Sequence, residues 1–115
     1  MPEIRYYVAS DGGSPFEVWF SNLDIAARAK MTVAIARMEQ GNLSRTKSVG
    51  EGVVEYKIDF GPGYRIYFGR DGDTLIILLT GGTKKRQQRD IEMAAGFWRD
   101  YKRTKRSVRR GHGDR

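Results

Sequence analysis

Between Val53 and Phe68 apolar and polar residues alternate on either side of the corner Gly61-Pro62-Gly63. Val54, Tyr56, Ile58 and Phe60 share one parity, with Val53, Glu55, Lys57 and Asp59 between them; after the corner Tyr64, Ile66 and Phe68 alternate with Arg65, Tyr67 and Gly69. A period of two marks strands with one buried face, so this segment predicts an antiparallel hairpin with Val54, Tyr56, Ile58 and Phe60 turned to a core. Asp71-Gly72 predicts a second hairpin turn, and Thr74 to Thr80, apolar on both faces, a central strand.

The segments before the hairpin predict a cover for it. Ile4 to Ala9 is a short aromatic strand, followed by Ser14 as N-cap, Pro15 at the first helical position and Glu17 three residues after the cap. Phe16, Trp19, Phe20 and Leu23 form the apolar face of that helix. Asp24 restarts a second helix to about Gln40, with Ile25, Ala29, Thr32, Val33 and Ala36 at helical spacing and Gly41 as its stop. Asn42 to Gly52 predicts an exposed loop, and Asp90 to Arg103 a helix burying Ile91, Ala94, Ala95, Trp98 and Tyr101. The expected fold is α+β: a small antiparallel meander sheet packed against an N-terminal helix hairpin, with a C-terminal helix, in the order β-α-α-β-β-β-α.

At 115 residues the chain suits one domain with one modest core, here residues 1–103, followed by a basic tail, 104–115, expected to be disordered. The net charge is +7, but residues 1–83 hold nine Lys/Arg against ten Asp/Glu, and the last 32 residues twelve against four. The basic excess therefore belongs to the C-terminal end, where it raises affinity for RNA, DNA or an acidic partner without specifying sequence. The absence of cysteine excludes disulfides and thiolate metal sites and suits a reducing cytoplasm. The only histidine, His112, lies three residues from the C-terminus, which argues against a metal centre and against a histidine base. The longest apolar run, Leu75 to Leu79, is far too short to span a membrane, and the N-terminus carries no apolar leader. A cytoplasmic protein without membrane contact is the expectation.

If Val54, Tyr56, Ile58 and Phe60 are buried, alternation puts Glu55, Lys57, Asp59, Arg65 and Tyr67 on the open side of the sheet. Such a face can be a solvated set of cross-strand ion pairs. However, the tight corner draws Lys57 and Arg65 together, and adjacent like charges are costly unless an anion lies between them. The run Gly81-Gly82-Thr83-Lys84-Lys85-Arg86 leaves the central strand and opens a helix, a junction whose amides favour phosphate.

Tyr56-Lys57-Ile58-Asp59, Gly61-Pro62-Gly63-Tyr64-Arg65-Ile66-Tyr67-Phe68, and Leu78-Leu79-Thr80-Gly81-Gly82-Thr83-Lys84 with Gln87 and Asp90-Ile91 resemble the RelE/HigB toxin superfamily, in particular its addiction-module killer proteins. The resemblance spans roughly residues 3–101. It implies a type II toxin: a metal-independent, ribosome-dependent endoribonuclease that cuts mRNA and is neutralised by a cognate helix-turn-helix, HigA-like antitoxin, meeting operator DNA only through that complex. It implies no cofactor. The chemistry would be attack of a ribose 2′-OH on the adjacent phosphate, with Lys57, Arg65 and Lys84 as catalytic cations and Asp59 or Glu55 as an alternative general base. Lys85, Arg86, Gln87, Arg45, Lys47 and Tyr67 would contact RNA. The chain departs from the family pattern at Asp59, where some relatives carry a second strand cation, and at Gln87 and Gln88, where an aromatic residue or histidine is common. Two other functions share the architecture: a ParE-like toxin that poisons DNA gyrase, and a degenerate toxin serving only as an antitoxin-bound co-repressor.

Overall fold

In a computed structural model, residues 1–105 and the backbone of Arg109 and Arg110 are described. The strands are β1 (Glu3–Tyr6), β2 (Thr46–Gly50), β3 (Val53–Ile58), β4 (Tyr64–Asp71), β5 (Leu75–Thr83) and β6 (Arg109–Arg110). The helices are α1 (Pro15–Ser21), α2 (Ile25–Glu39) and α3 (Gln87–Thr104), the last entered through a 3-10 turn at Lys84–Arg86. One mixed sheet runs in the order β2-β3-β4-β5-β1-β6. The α+β class stands, but the sheet is not an all-antiparallel meander, because β1 pairs parallel with β5, Ile4 opposite Ile76 and Tyr6 opposite Leu78. The connection from β1 to β5 runs through α1, α2 and strands β2 to β4, which gives the long crossover that a parallel pair requires.

Local signals account for the helix starts. Ser14 Oγ accepts the Glu17 amide at 3.2 Å, and Asp24 Oδ1 accepts the Ala27 amide at 2.8 Å. Helix α2, however, buries Ala27, Met31, Ala34, Ile35 and Met38, not the expected Ile25, Ala29, Thr32, Val33 and Ala36. Ile25 is 77% exposed and Val33 48%. Apolar residues lie on all sides of this helix, so periodicity gives two acceptable faces, and the methionines fit the sheet.

Asn42 to Gly52 is likewise not all loop, since Thr46–Gly50 forms edge strand β2 against β3, with Lys47 opposite Glu55. Its composition, Thr-Lys-Ser-Val-Gly, carries no buried face and so no alternation to read. Beyond Thr104, Lys105 takes a left-handed C-cap conformation and β6 pairs with β1, so the tail expected to be disordered holds an element; its remaining residues lie outside those described.

Two cores result, one on each face. Phe16, Met31, Ile35 and Met38 cover Tyr56, Ile58, Ile66 and Phe68, as the alternation requires. On the opposite face Ala94, Ala95, Trp98 and Tyr101 of α3 cover Val53, Tyr67, Ile77 and Leu79. The side expected to be open is therefore largely roofed by α3. Gly69 exists for this roof: a Cβ there would stand 2.4 Å from the Trp98 ring.

Candidate functional site

The polar residues of β3 and β4 form two adjacent ladder rows on the α3 face. Lys47, Glu55, Tyr67 and Thr80 are successive register partners across β2 to β5, and Lys57, Arg65 and Gly82 form the neighbouring row. Arg45 joins the second row, its carbonyl accepting the Lys57 amide at 3.1 Å. Where α3 begins, its roof ends, and Arg45, Thr46, Lys47, Glu55, Lys57 and Arg65 line a cavity of about 240 Å³. A broader cleft of about 730 Å³ shares Lys47 with it and is otherwise lined by Ser48, Val49, Lys84, Lys85, Gln87, Gln88 and Ile91.

Glu55 lines the first cavity and is only 1% exposed. Its Oε2 accepts the Tyr67 hydroxyl at 3.1 Å and Gln87 Nε2 at 2.7 Å, and stands 3.8 Å from Arg65 Nε. Three donors or charges converging on one oxygen compensate the removal of a carboxylate from water. Arg65 is 5% exposed, so the expectation of a side chain clear of the core is corrected: it is wedged under the start of α3. Its Nη1 donates to the Gly63 carbonyl at 2.9 Å, which also accepts the Lys84 amide at 2.8 Å. Gly63 adopts φ +80°, and a Cβ there would come 2.9 Å from Arg65 Nη1, so this corner needs glycine twice over. The corner thus ties the hairpin, the guanidinium and the turn before α3 together. Arg65 Nε has no hydrogen-bond partner among the described residues.

Lys57 and Arg65 face one another in register, as the sequence predicts, but in different media. The Lys57 side chain is 53% exposed, with its ammonium 3.7 Å from Asp59, which also lies 3.5 Å from Arg45 Nη1. Asp59 is an exposed rim carboxylate shared by two cations, while Glu55 is the carboxylate inside the cavity.

Tyr67 is fully buried beneath α3, which corrects its expected place on an RNA-contacting surface. Burial first, then the charge and hydrogen bond of Glu55, push its hydroxyl well above the usual tyrosine pKa, so it stays a donor to Glu55. The Gly81-Gly82 pair is also corrected: both residues lie buried inside β5, not in a phosphate-cradling junction. A Cβ on Gly81 would meet the Trp19 ring at 2.3 Å, and one on Gly82 the Asp90 carboxylate at 1.8 Å. The glycines admit side chains from opposite faces. Lys84, Lys85 and Arg86 are exposed in the following turn; Lys84 and Lys85 line the broader cleft, and the Lys84 amide shares the Gly63 carbonyl with Arg65.

Asp90, read in the sequence only as part of the resemblance and as a helix start, lies in the first turn of α3. Its Oδ2 is buried against Gly82 without a hydrogen-bond partner among the described residues, and burial raises its pKa, opposed by Arg86. Thr46, Ser48 and Gln88 also line the clefts without having been anticipated; recognising β2 as a strand would have placed the first two. No group of three or more His, Cys, Asp or Glu among the described residues could hold a metal ion, and no described helix is long and apolar enough to cross a membrane.

The arrangement can bind an anion: cations on three strands and two turns line two adjoining clefts, with a single carboxylate sequestered among them. Comparison with known proteins agrees on a shared core. A protein of Haemophilus influenzae, called only an uncharacterized protein, is 42% identical over 80 residues, 69% of this chain and 81% of that one. The model of the family described as phage derived protein Gp49-like (DUF891) matches residues 18–95, from α1 through the first two turns of α3 and including every cavity residue above. The chain belongs to the Gp49-like family of phage-derived proteins.

Proposed function

We propose that this chain is the toxin of a type II toxin–antitoxin module, a RelE/HigB-like endoribonuclease that cuts translated mRNA on the ribosome. The Gp49-like family is associated with toxins of such modules. The observation that carries the nuclease reading is the cavity in which Lys57 and Arg65, register partners on neighbouring strands, flank Glu55.

A scissile phosphate entering this cavity meets both cations. Arg65, held by Gly63 and facing Glu55, presents a fixed charge, and half-exposed Lys57 adapts to the phosphate oxygens. Glu55 accepts the ribose 2′-OH proton as the 2′-oxygen attacks phosphorus, the P–O5′ bond breaks, and the leaving 5′-oxygen takes a proton from Lys57. The products are a 2′,3′-cyclic phosphate and a 5′-hydroxyl. Lys47, Lys84 and Lys85 on the broader cleft hold the neighbouring phosphate. A cognate HigA-like antitoxin with a helix-turn-helix neutralises the chain and carries the complex to operator DNA.

Lys57→Ala is the appropriate test, because Lys57 is exposed whereas Arg65 supports the fold. Wild type and variant are induced in growing cells and new RNA 5′ ends are mapped during translation and after an initiation block. Cuts inside coding sequence that need translation and Lys57 support the reading. Growth arrest without cuts would move the assignment to gyrase, and no arrest would leave an antitoxin-bound co-repressor.

A further inference from the structure

A third cavity, of about 240 Å³, opens between α2 and the end of β3. It is smaller than the roughly 300 Å³ at which small-molecule pockets begin, so it suits one inserted side chain rather than a metabolite. Val33, 48% exposed on α2, and half-buried Phe60 stand at its mouth, with Lys30 Nζ 5.0 Å above the Phe60 ring. Four cations line it, Lys30, Arg37, Arg45 and Lys57, against the single carboxylate Asp59. Residues 1–83 as a whole carry one more acid than base. The local positive charge is therefore placed, not inherited from a basic chain. Arg45 and Lys57 line both this cavity and the one holding Glu55.

We infer that the α2–β3 edge receives an acidic segment of a partner protein that inserts one bulky apolar side chain beside Val33 and Phe60 and draws Arg45 and Lys57 away from the neighbouring cavity. The apolar mouth favours a protein over RNA, since a nucleic acid would leave Val33 and Phe60 wet. Because the two cavities share two cations, docking and neutralisation are one event: carboxylates that pair with Arg45 and Lys57 remove them from phosphate. This inference rests on the proposed function for its consequence, but the docking itself is independent of catalysis.

The test uses the full chain and a fluorescein-labelled acidic peptide with one central Phe, its twin with Gly in that place, and a labelled single-stranded oligoribonucleotide, read by anisotropy. The Phe peptide should bind saturably, the Gly twin about tenfold more weakly, and the Lys30→Glu/Arg37→Glu double variant should lose about tenfold for the Phe peptide. The bound peptide should displace the oligoribonucleotide, and the double variant should retain wild-type RNA cleavage and circular dichroism. Equal binding of both peptides, or indifference to the charge reversal, would overturn the docking site as nonspecific attraction to a basic chain. Weaker oligoribonucleotide binding in the double variant would assign the edge to RNA instead. Docking without displacement would overturn the shared-cation coupling. Docking as described in a chain that cuts no RNA would refute the nuclease reading and leave the docking site standing.

Discussion

Arg65→Ala should unfold this protein more readily before it says anything about catalysis. The guanidinium is 5% exposed and Glu55 opposite it 1%, so the substitution leaves a carboxylate buried without its counter-charge. Breaking a buried pair this way costs about 3–5 kcal/mol. Two features put the cost near the low end, at about 3 kcal/mol: the Nε–Oε2 separation of 3.8 Å is beyond hydrogen-bond range, and Glu55 keeps its donors Tyr67 and Gln87. The lost bond to the Gly63 carbonyl adds little, because that oxygen still accepts the Lys84 amide. For a domain of this size about 3 kcal/mol corresponds to a Tm lower by roughly 12 °C. Glu55→Gln should cost about 2 kcal/mol by leaving Arg65 buried and unpaired. The double variant should then cost about 3 kcal/mol rather than the sum, a coupling of about 2 kcal/mol measurable by urea unfolding of all four proteins. Additive losses within about 0.5 kcal/mol would show that the two side chains do not stabilise one another and would refute the reading of the site as a compensated buried pair.

Other consequences are equally direct. Lys57→Ala should leave Tm within about 2 °C of wild type, since its side chain is half-exposed, while RNA cleavage falls about 100-fold or more in a purified translation reaction. Gly82→Ala should cost about 2–3 kcal/mol in thermal unfolding, because its Cβ would lie 1.8 Å from the Asp90 carboxylate, and Asp90→Ala should recover most of that loss. Burial, followed by the Asp71 hydrogen bond, pushes Tyr101 up to about 12, and Tyr67 is also raised, whereas unfolded tyrosines ionise near 10. The stability these groups contribute is complete below about pH 10 and is lost as pH rises toward 12, and Tyr101→Phe should flatten that fall in urea titrations. Asp71, held below the usual carboxylate range first by the Lys105 and then by the Tyr101 hydrogen bond, stabilises above its unfolded pKa of about 3.9. Asp71→Asn should lower Tm by a few degrees at pH 7, with the difference vanishing as pH falls below that range.

How much of this was legible in the sequence depends on whether one local pattern had a single solution. The Val53–Phe68 alternation did, and its buried parity, the register of Lys57 against Arg65 and the helix caps at Ser14 and Asp24 follow from it and from capping chemistry. Helix α2 did not, because apolar residues on all its sides left Met31 and Met38 no more conspicuous than Ile25 and Val33. The parallel pairing of β1 with β5 is a long-range contact that no local window contains. Strand β2 is an edge strand held by backbone bonds to β3, and its side chains have no buried face to advertise it.

The site shows the same division more sharply. Alternation correctly puts Glu55, Lys57, Arg65 and Tyr67 on one face, but a charged residue on a strand looks solvent-facing whether or not a later helix covers it. Covering was decided by Ala94, Ala95 and Trp98, whose small and flat side chains let α3 settle on Gly69 and Tyr67 and stop short of Lys57. One helix end therefore divides the polar face into a buried half, where Tyr67 and Gln87 orient Glu55, and an open half, where Lys57 and Arg45 meet solvent. Arg65 lies on that boundary. A cation fixed by the fold beside a carboxylate fixed by the fold needs no rearrangement when an anion arrives, which is the preorganisation that charge-stabilising sites require. The burial that makes Arg65 costly to remove is thus also what would make it effective against a phosphate, and stability and function are coupled at this residue.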